Sequence, residues 1–260
     1  MSVYIRYLRP IRWGAIVPLT EMRGERKRMP GRGAIITPAT LRFFRDLKRH
    51  NCKEWMDANR DRYRGDVVEP FRALLAAVRP YVLQLHPGFD TAGRTGVNFS
   101  RINRDIRFAR DKTPYHSRMY LTFPDPGAGD DARTQLYIGI SAEAVTAGFR
   151  AYLMGPAKKS LFRQIVLTRV MANPNWVARQ KKRLGRRYES YWYSTEKGEW
   201  TKHEGWPLGP AEWEKLQGWV IRRKFAQSAA TLPRFVTDID HLFRDVYPLF
   251  LFVSSTSWKA

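Results

Sequence analysis

The chain has a single cysteine, Cys52, so no disulfide can close within it, and so thiol-poor a composition suits a reducing compartment. Long apolar runs are missing too. The longest stretches, Ala73–Val78 and Leu249–Val253, fall far short of the ~20 residues that a membrane-spanning helix needs, so no integral membrane association is expected. The N-terminal stretch is rich in arginine but has no continuous apolar core followed by a small-residue cleavage site. The expected location is cytoplasmic. No GxGxxG, P-loop or GxSxG pattern occurs, and no cofactor is expected. The five histidines are scattered. The nearest approach to a ligand set, Asp238, His241 and Asp245 on one face of a helix, reads as a solvated surface, so no metal site is expected.

Acidic residues are scarce: 24 Asp and Glu against 46 Lys and Arg, a net charge of +22. The excess is concentrated in residues 1–36, Arg101–Arg118, Trp176–Tyr188 and Arg222–Lys224. It favours encounter with nucleic acid, anionic surfaces or phosphorylated ligands. Arginine outnumbers lysine 33 to 13, so coding bias is an alternative source of the charge. Both readings stand on composition alone.

At 260 residues with 43% apolar and 13% aromatic side chains, the chain can bury a full core without metal or disulfide staples. Residues 1–36, basic and broken by Pro10, Pro18 and Pro30, read as a poorly ordered arm. The arm either binds polyanions or reflects an early start codon, with Met22 or Met29 as the alternative start. Residues 37–260 read as one domain. Thr37 and Pro38 occupy the cap and first position of a helix carrying Leu41, Phe44 and Leu47. Further helices are expected over Lys53–Arg64 and from Pro70, where Pro80 should bend or interrupt the second. Strands are expected at Met119–Phe123, Gln135–Ile140 and Ala144–Phe149, the last two as a hairpin joined to the first by the Pro-, Gly- and Asp-rich loop Pro124–Arg133. Helices follow at Pro156–Met171 and Pro174–Leu184. Next comes a connecting region containing Trp192, Trp200, Trp206, Trp213 and Trp219, then a helix near Pro233 with Phe235, Ile239, Leu242, Phe243 and Val246 inward. The expected fold class is α+β, a mostly antiparallel sheet flanked by helices.

Chemistry concentrates in Ser100–Tyr115, SRINRDIRFARDKTPY. Arg101, Arg104, Arg107 and Arg110 recur every third residue, interleaved with Ile102, Ile106 and Phe108 and joined by Asp105, Asp111 and Lys112. Such a segment can hide its apolar side chains in the core and aim several guanidinium groups at one phosphate or carboxylate.

This segment and an earlier one resemble a domain-of-unknown-function family of uncharacterised bacterial and fungal proteins. Family members carry a pattern like NNxxxWFxxNRxxY…PF, matched here by Asn51, Trp55, Asn59, Arg60, Tyr63, Pro70 and Phe71 after Phe43, Phe44 and Leu47. They then carry one like SRIxRDxRFSKDKTPYK, matched by Ser100–Ile102, Arg104, Asp105, Arg107, Phe108 and Asp111–Tyr115. Cys52, Met56, Ala109, Arg110 and His116 depart from the pattern, as does Ala147–Tyr152 where the family has GAGxYxP. Similarity extends from about Thr40 to Ser254 and is weak between Gly155 and Trp219. The resemblance implies membership and a shared fold; it implies no reaction.

Two readings of the motif follow. In one, Arg101, Arg104, Arg107, Lys112 and Tyr115, with Asn59, Arg60 and Tyr63 from the second helix, bind an anion, and the partner is nucleic acid or a phosphorylated small molecule. In the other, they form an internal salt-bridge network, and the chain is a structural or protein-interaction domain. An enzyme acting on a phosphorylated substrate would use Asp105 or Asp111 as general base. A second basic segment, Arg179, Lys181, Lys182, Arg183, Arg186 and Arg187 beside Tyr188, Tyr191, Trp192 and Tyr193, combines phosphate-tracking charge with stacking rings. Its alternative is a solvated helix end followed by core aromatics. Oligomeric state is left open.

Overall fold

The computed structural model describes residues 33–125, 132–153, 161–196 and 199–254. The expected arm lies outside them up to residue 32, as does the expected helix start at Pro156. All elements below belong to one compact unit, Arg32–Ala260.

Helix α1, Pro38–Arg49, begins as its sequence dictates: Thr37 caps it, Pro38 opens it, and the Thr40 hydroxyl accepts from the Thr37 amide at 3.5 Å. Leu41, Phe43, Phe44 and Leu47 are buried along its inner face. The helix expected over Lys53–Arg64 is broken. Asn59 leaves helical geometry (φ −117°, ψ 21°), dividing α2, Lys53–Ala58, from α3, Arg60–Tyr63, and a π-helical turn over Arg64–Val68 leads directly into α4, Glu69–Leu85. Pro80 does not interrupt α4. It lies on the exposed side of the helix, as does Ala76, whose carbonyl loses its usual amide partner, so water can satisfy that group.

Six antiparallel strands form one sheet in the order β1-β2-β3-β6-β4-β5: β1 Arg118–Pro124, β2 Ala132–Ser141, β3 Val145–Leu153, β4 Glu189–Glu196, β5 Glu199–Glu204 and β6 Leu216–Phe225. The expected β2–β3 hairpin is present, its turn held by the Ser141 hydroxyl, which accepts from the Glu143 and Ala144 amides at 3.1 and 2.9 Å. The tryptophan-rich region expected as a connection instead supplies β4, β5 and β6. Trp192 and Trp219 face each other across β4 and β6, and Trp213 belongs to a short helix, α7, Pro210–Lys215. The remaining helices are α5 Leu161–Ala172, α6 Trp176–Leu184, α8 Gln227–Ala230 and α9 Phe235–Val253. The protein is α+β.

Alternation along the strands separates two faces. Met119, Leu121, Phe123, Leu136, Ile138, Phe149, Trp219 and Ile221 point into the core. There Phe123 meets Phe243 of α9 edge-on at 6.1 Å and Trp219 meets Trp213 of α7 at 5.2 Å. The five positions expected inward on α9 are all buried.

Candidate anion-binding loop

The Ser100–Tyr115 motif grows out of the edge of the sheet. Upstream of it, Phe99 bridges Leu121 of β1; the Thr122 amide donates to Asn98 O at 2.7 Å and the Ser100 amide to Tyr120 O at 3.0 Å. Asn98 anchors this run. It is fully buried, and its amide accepts from the Gly93 and Arg94 amides (2.9 and 3.1 Å) and donates to Asp90 O and Thr122 O (2.7 and 3.2 Å).

Beyond Ser100 the chain turns back on itself. Arg104 N donates to Pro114 O at 2.9 Å and His116 N to Ile102 O at 2.7 Å, so residues 102–116 form a hairpin-like loop. Its base is tied to the N-terminal helices by Asn51, which exchanges two hydrogen bonds with the backbone of Tyr115.

Inside the loop, Arg104 acts as a strut. Its Nη1 donates to Asp111 Oδ2 at 2.6 Å, to Thr113 O at 2.9 Å and to the Thr113 hydroxyl. Asp111 also accepts from the Thr113 amide at 2.9 Å and the Thr113 hydroxyl at 2.8 Å. The Thr113 hydrogen bonds, with Arg104 behind them, hold its carboxyl down to about 2. Lys112 Nζ donates to Ile106 O at 3.0 Å. Arg107 folds onto Asp105 through two bonds of 3.0 and 2.8 Å, and this pairing lowers the Asp105 carboxyl below its ordinary range.

The apolar positions diverge. Ile102 is buried and Ile106 half-buried, but Phe108, expected to hide in the core, is 95% exposed at the tip. The Arg107 guanidinium lies 5.9 Å above its ring. Arg101, Arg107, Arg110 and Lys112 are all exposed; of the motif's cations only Arg104 is drawn in, with 20% of its side chain accessible.

The anticipated site residues therefore separate. Arg104, Arg107, Lys112, Asp105 and Asp111 share the loop, and Arg101 stands on the approach to it, beside Gly96. Tyr115 is buried at the base. Arg60 pairs with Asp57 at 2.9 Å and lies within electrostatic reach of Tyr115 and Tyr63. Asn59 donates to Trp55 O and accepts from Arg62, so its amide is committed to the helices. The sequence singled out neither Asn98 nor the exposure of Phe108. The signal for the latter was present in its neighbours, since Arg107 and Arg110 flank the Phe108–Ala109 pair between Asp105 and Asp111.

The second basic segment also divides by partner. Asp245 accepts from Arg187 (2.8 Å) and the Tyr188 hydroxyl (2.7 Å), and Arg183 donates to Asp245 O at 2.7 Å. Burial, and then Asp245 itself, push the Tyr188 hydroxyl up. Lys181, Lys182 and Arg186 instead line an open groove of about 950 Å³, shared with Tyr191, Glu204 and Trp206. Among the described residues, no three His, Cys, Asp or Glu side chains gather as a metal set, and no helix is long and apolar enough to cross a membrane.

The family described as "Conserved hypothetical protein (DUF2461)" matches residues 39–252, a span that includes both the Asn51 anchor and the whole loop. The chain belongs to this family. No curated protein matches it, and no solved structure does. The two segments singled out in the sequence therefore meet in space here: Asn51 of the first exchanges hydrogen bonds with the backbone of Tyr115 of the second.

Proposed function

We propose that the protein binds phosphate-bearing ligands, nucleic acid foremost, with the tip of the 104–113 loop as the contact. The observation that carries this reading is Phe108. Leaving a phenylalanine in water forgoes about 1.5–3 kcal/mol of burial, and this ring sits against Arg107, on the same exposed loop as Arg110 and Lys112, a loop held by Arg104, Asp111 and Thr113. An exposed ring flanked by cations is suited to stacking on a base while the cations pair with phosphates. The tip is open on its surface, which favours an extended ligand over one needing enclosure.

Binding of a labelled oligonucleotide, measured at two salt concentrations, tests the proposal. Affinity should fall steeply with salt, and Phe108→Ala and Arg107→Ala should each weaken it several-fold without changing the melting temperature. Wild-type affinity in both variants would overturn it.

The enzymatic alternative is disfavoured by the aspartates. A general base works best with a pKa near the operating pH, whereas Asp111 is held at about 2 and Asp105 is lowered by its bidentate arginine.

A further inference from the structure

The face of the sheet opposite the core carries a second pattern that the loop does not use. Tyr120, Tyr137, Arg150, Tyr152, Arg222, Tyr191, Tyr193 and Lys202 fall on it by register, and the helix contacts described above lie on the other side. The cations are set against rings. Arg150 stands 4.9 Å from the centre of Tyr120 and 5.4 Å from that of Tyr137; Lys202 and Arg222 approach Tyr191 at 3.9 and 5.0 Å. With its amide oxygen turned toward Arg150, Gln135 accepts from Nε and Nη2 at 2.7 and 3.0 Å and fixes that guanidinium.

Gly218 gives the pattern its geometry. It pairs with Tyr152 on one side and Tyr193 on the other. Strands two apart lie ~10 Å from each other, yet these rings meet over the glycine with centres 6.4 Å apart. A Cβ at 218 would come within 2.8 Å of the Tyr152 ring. Beyond Tyr193, Trp200 on the edge strand continues the row at 6.4 Å and is 61% exposed. The groove lined by Lys181, Lys182 and Arg186 opens next to it, sharing Tyr191 and Glu204.

We propose that this face binds single-stranded nucleic acid, with bases stacking on Tyr152, Tyr193 and Trp200 and the backbone following Lys202 and the cations of the groove, while Arg222 is paired with Glu189. Charge selects the occupant. A second copy would bring the same cations to the same surface, so it is repelled where a polyanion is attracted. Half-buried rings interleaved with cations and ending on the exposed Trp200 accommodate unstacked bases, whereas a duplex presents its phosphates and keeps its bases stacked inside. This site stands on different residues from the loop and does not depend on it.

The test is fluorescence anisotropy with a labelled oligo(dT) of about a dozen nucleotides, competed with unlabelled oligo(dT) or with duplex of equal length. Tyr193→Ala and Trp200→Ala should each weaken binding about ten-fold, and Tyr193→Phe should retain it. Lys202→Ala should reduce the salt slope by roughly 0.7. Duplex should compete poorly. Wild-type affinity in Tyr193→Ala and Trp200→Ala, equal competition by duplex, or no oligo(dT) binding at all would overturn the proposal. Should Tyr193→Ala fail to fold, the exposed edge residue Trp200 decides the matter. Loss of binding in Phe108→Ala alone would assign the contact to the loop and refute the sheet; loss in the sheet variants alone would do the reverse.

Discussion

Asn51 and Tyr115, 64 residues apart, are joined through one side-chain amide: Asn51 Nδ2 donates to Tyr115 O at 2.8 Å and Oδ1 accepts from Tyr115 N at 3.0 Å. The pair copies the donor–acceptor match of a strand neighbour and ties the end of α1 to the base of the loop. Asn51→Ala leaves both backbone groups of a partly buried site without partners and should destabilise the protein by about 1–3 kcal/mol. Asn51→Asp restores one bond, to the Tyr115 amide, but sets a carboxylate against its carbonyl. Urea denaturation should therefore rank both variants below wild type, and equal midpoints for all three would refute the role.

Loop order should depend on acid. Asp111 has its pKa lowered from 3.8 to about 2, so what it contributes is fully present above pH 3.8 and is lost as pH falls through about 2. An NMR titration should show the Thr113 amide shifting with a midpoint near 2, and Asp111→Asn should abolish that transition. A Thr113 midpoint near 4 would mean that the hydrogen bonds do not hold the carboxylate.

How much of this was readable in the sequence varies by element. Helix α1 was plain because cap, opening proline and apolar spacing agree. Half of the sheet was hidden. In β4 the alternation of Ser190, Trp192 and Ser194 inward with Glu189, Tyr191 and Tyr193 outward is a strand pattern, but its inward side is largely small and polar, so hydrophobicity gave no period. β5, Glu199–Glu204, is a polar edge strand recognisable only by its partner. The loop's composition pointed to the right residues for cation chemistry. It did not reveal that most of those cations are exposed, which depends on Asn98 and Asn51 holding the chain ends so that the tip projects.

Asn98→Ala should be among the most damaging polar substitutions. Four hydrogen bonds converge on a fully buried amide, and removing it strands backbone groups on two segments, the Asp90–Arg94 loop and β1. A loss of roughly 3 kcal/mol in chemical denaturation is expected. A loss below about 1 kcal/mol would show that water replaces the side chain.

Gly148→Ala should separate β3 from β6. A Cβ there would lie 1.9 Å from Ile221 O and 2.8 Å from Arg222 Cα, and both are backbone atoms of the neighbouring strand. Neither can turn aside as a flexible side chain could. The expected outcome is insoluble expression or a sharply lowered melting temperature, and a soluble variant with wild-type stability would contradict the pairing.

The π-helical turn over Arg64–Val68 sets the phase of everything before it. Each residue added to or removed from an α-helix turns the preceding segment by about 100° about the axis, and a π turn holds one more residue than α-helical winding would. Shortening the chain by Gly65 would let α3 and α4 merge into one regular helix. Tyr63, which packs on Phe43 at 5.8 Å, and Arg60 beside Tyr115 would then swing away from those neighbours. The irregular turn thus works as an angular spacer that keeps Tyr63 against Phe43 and Arg60 beside Tyr115.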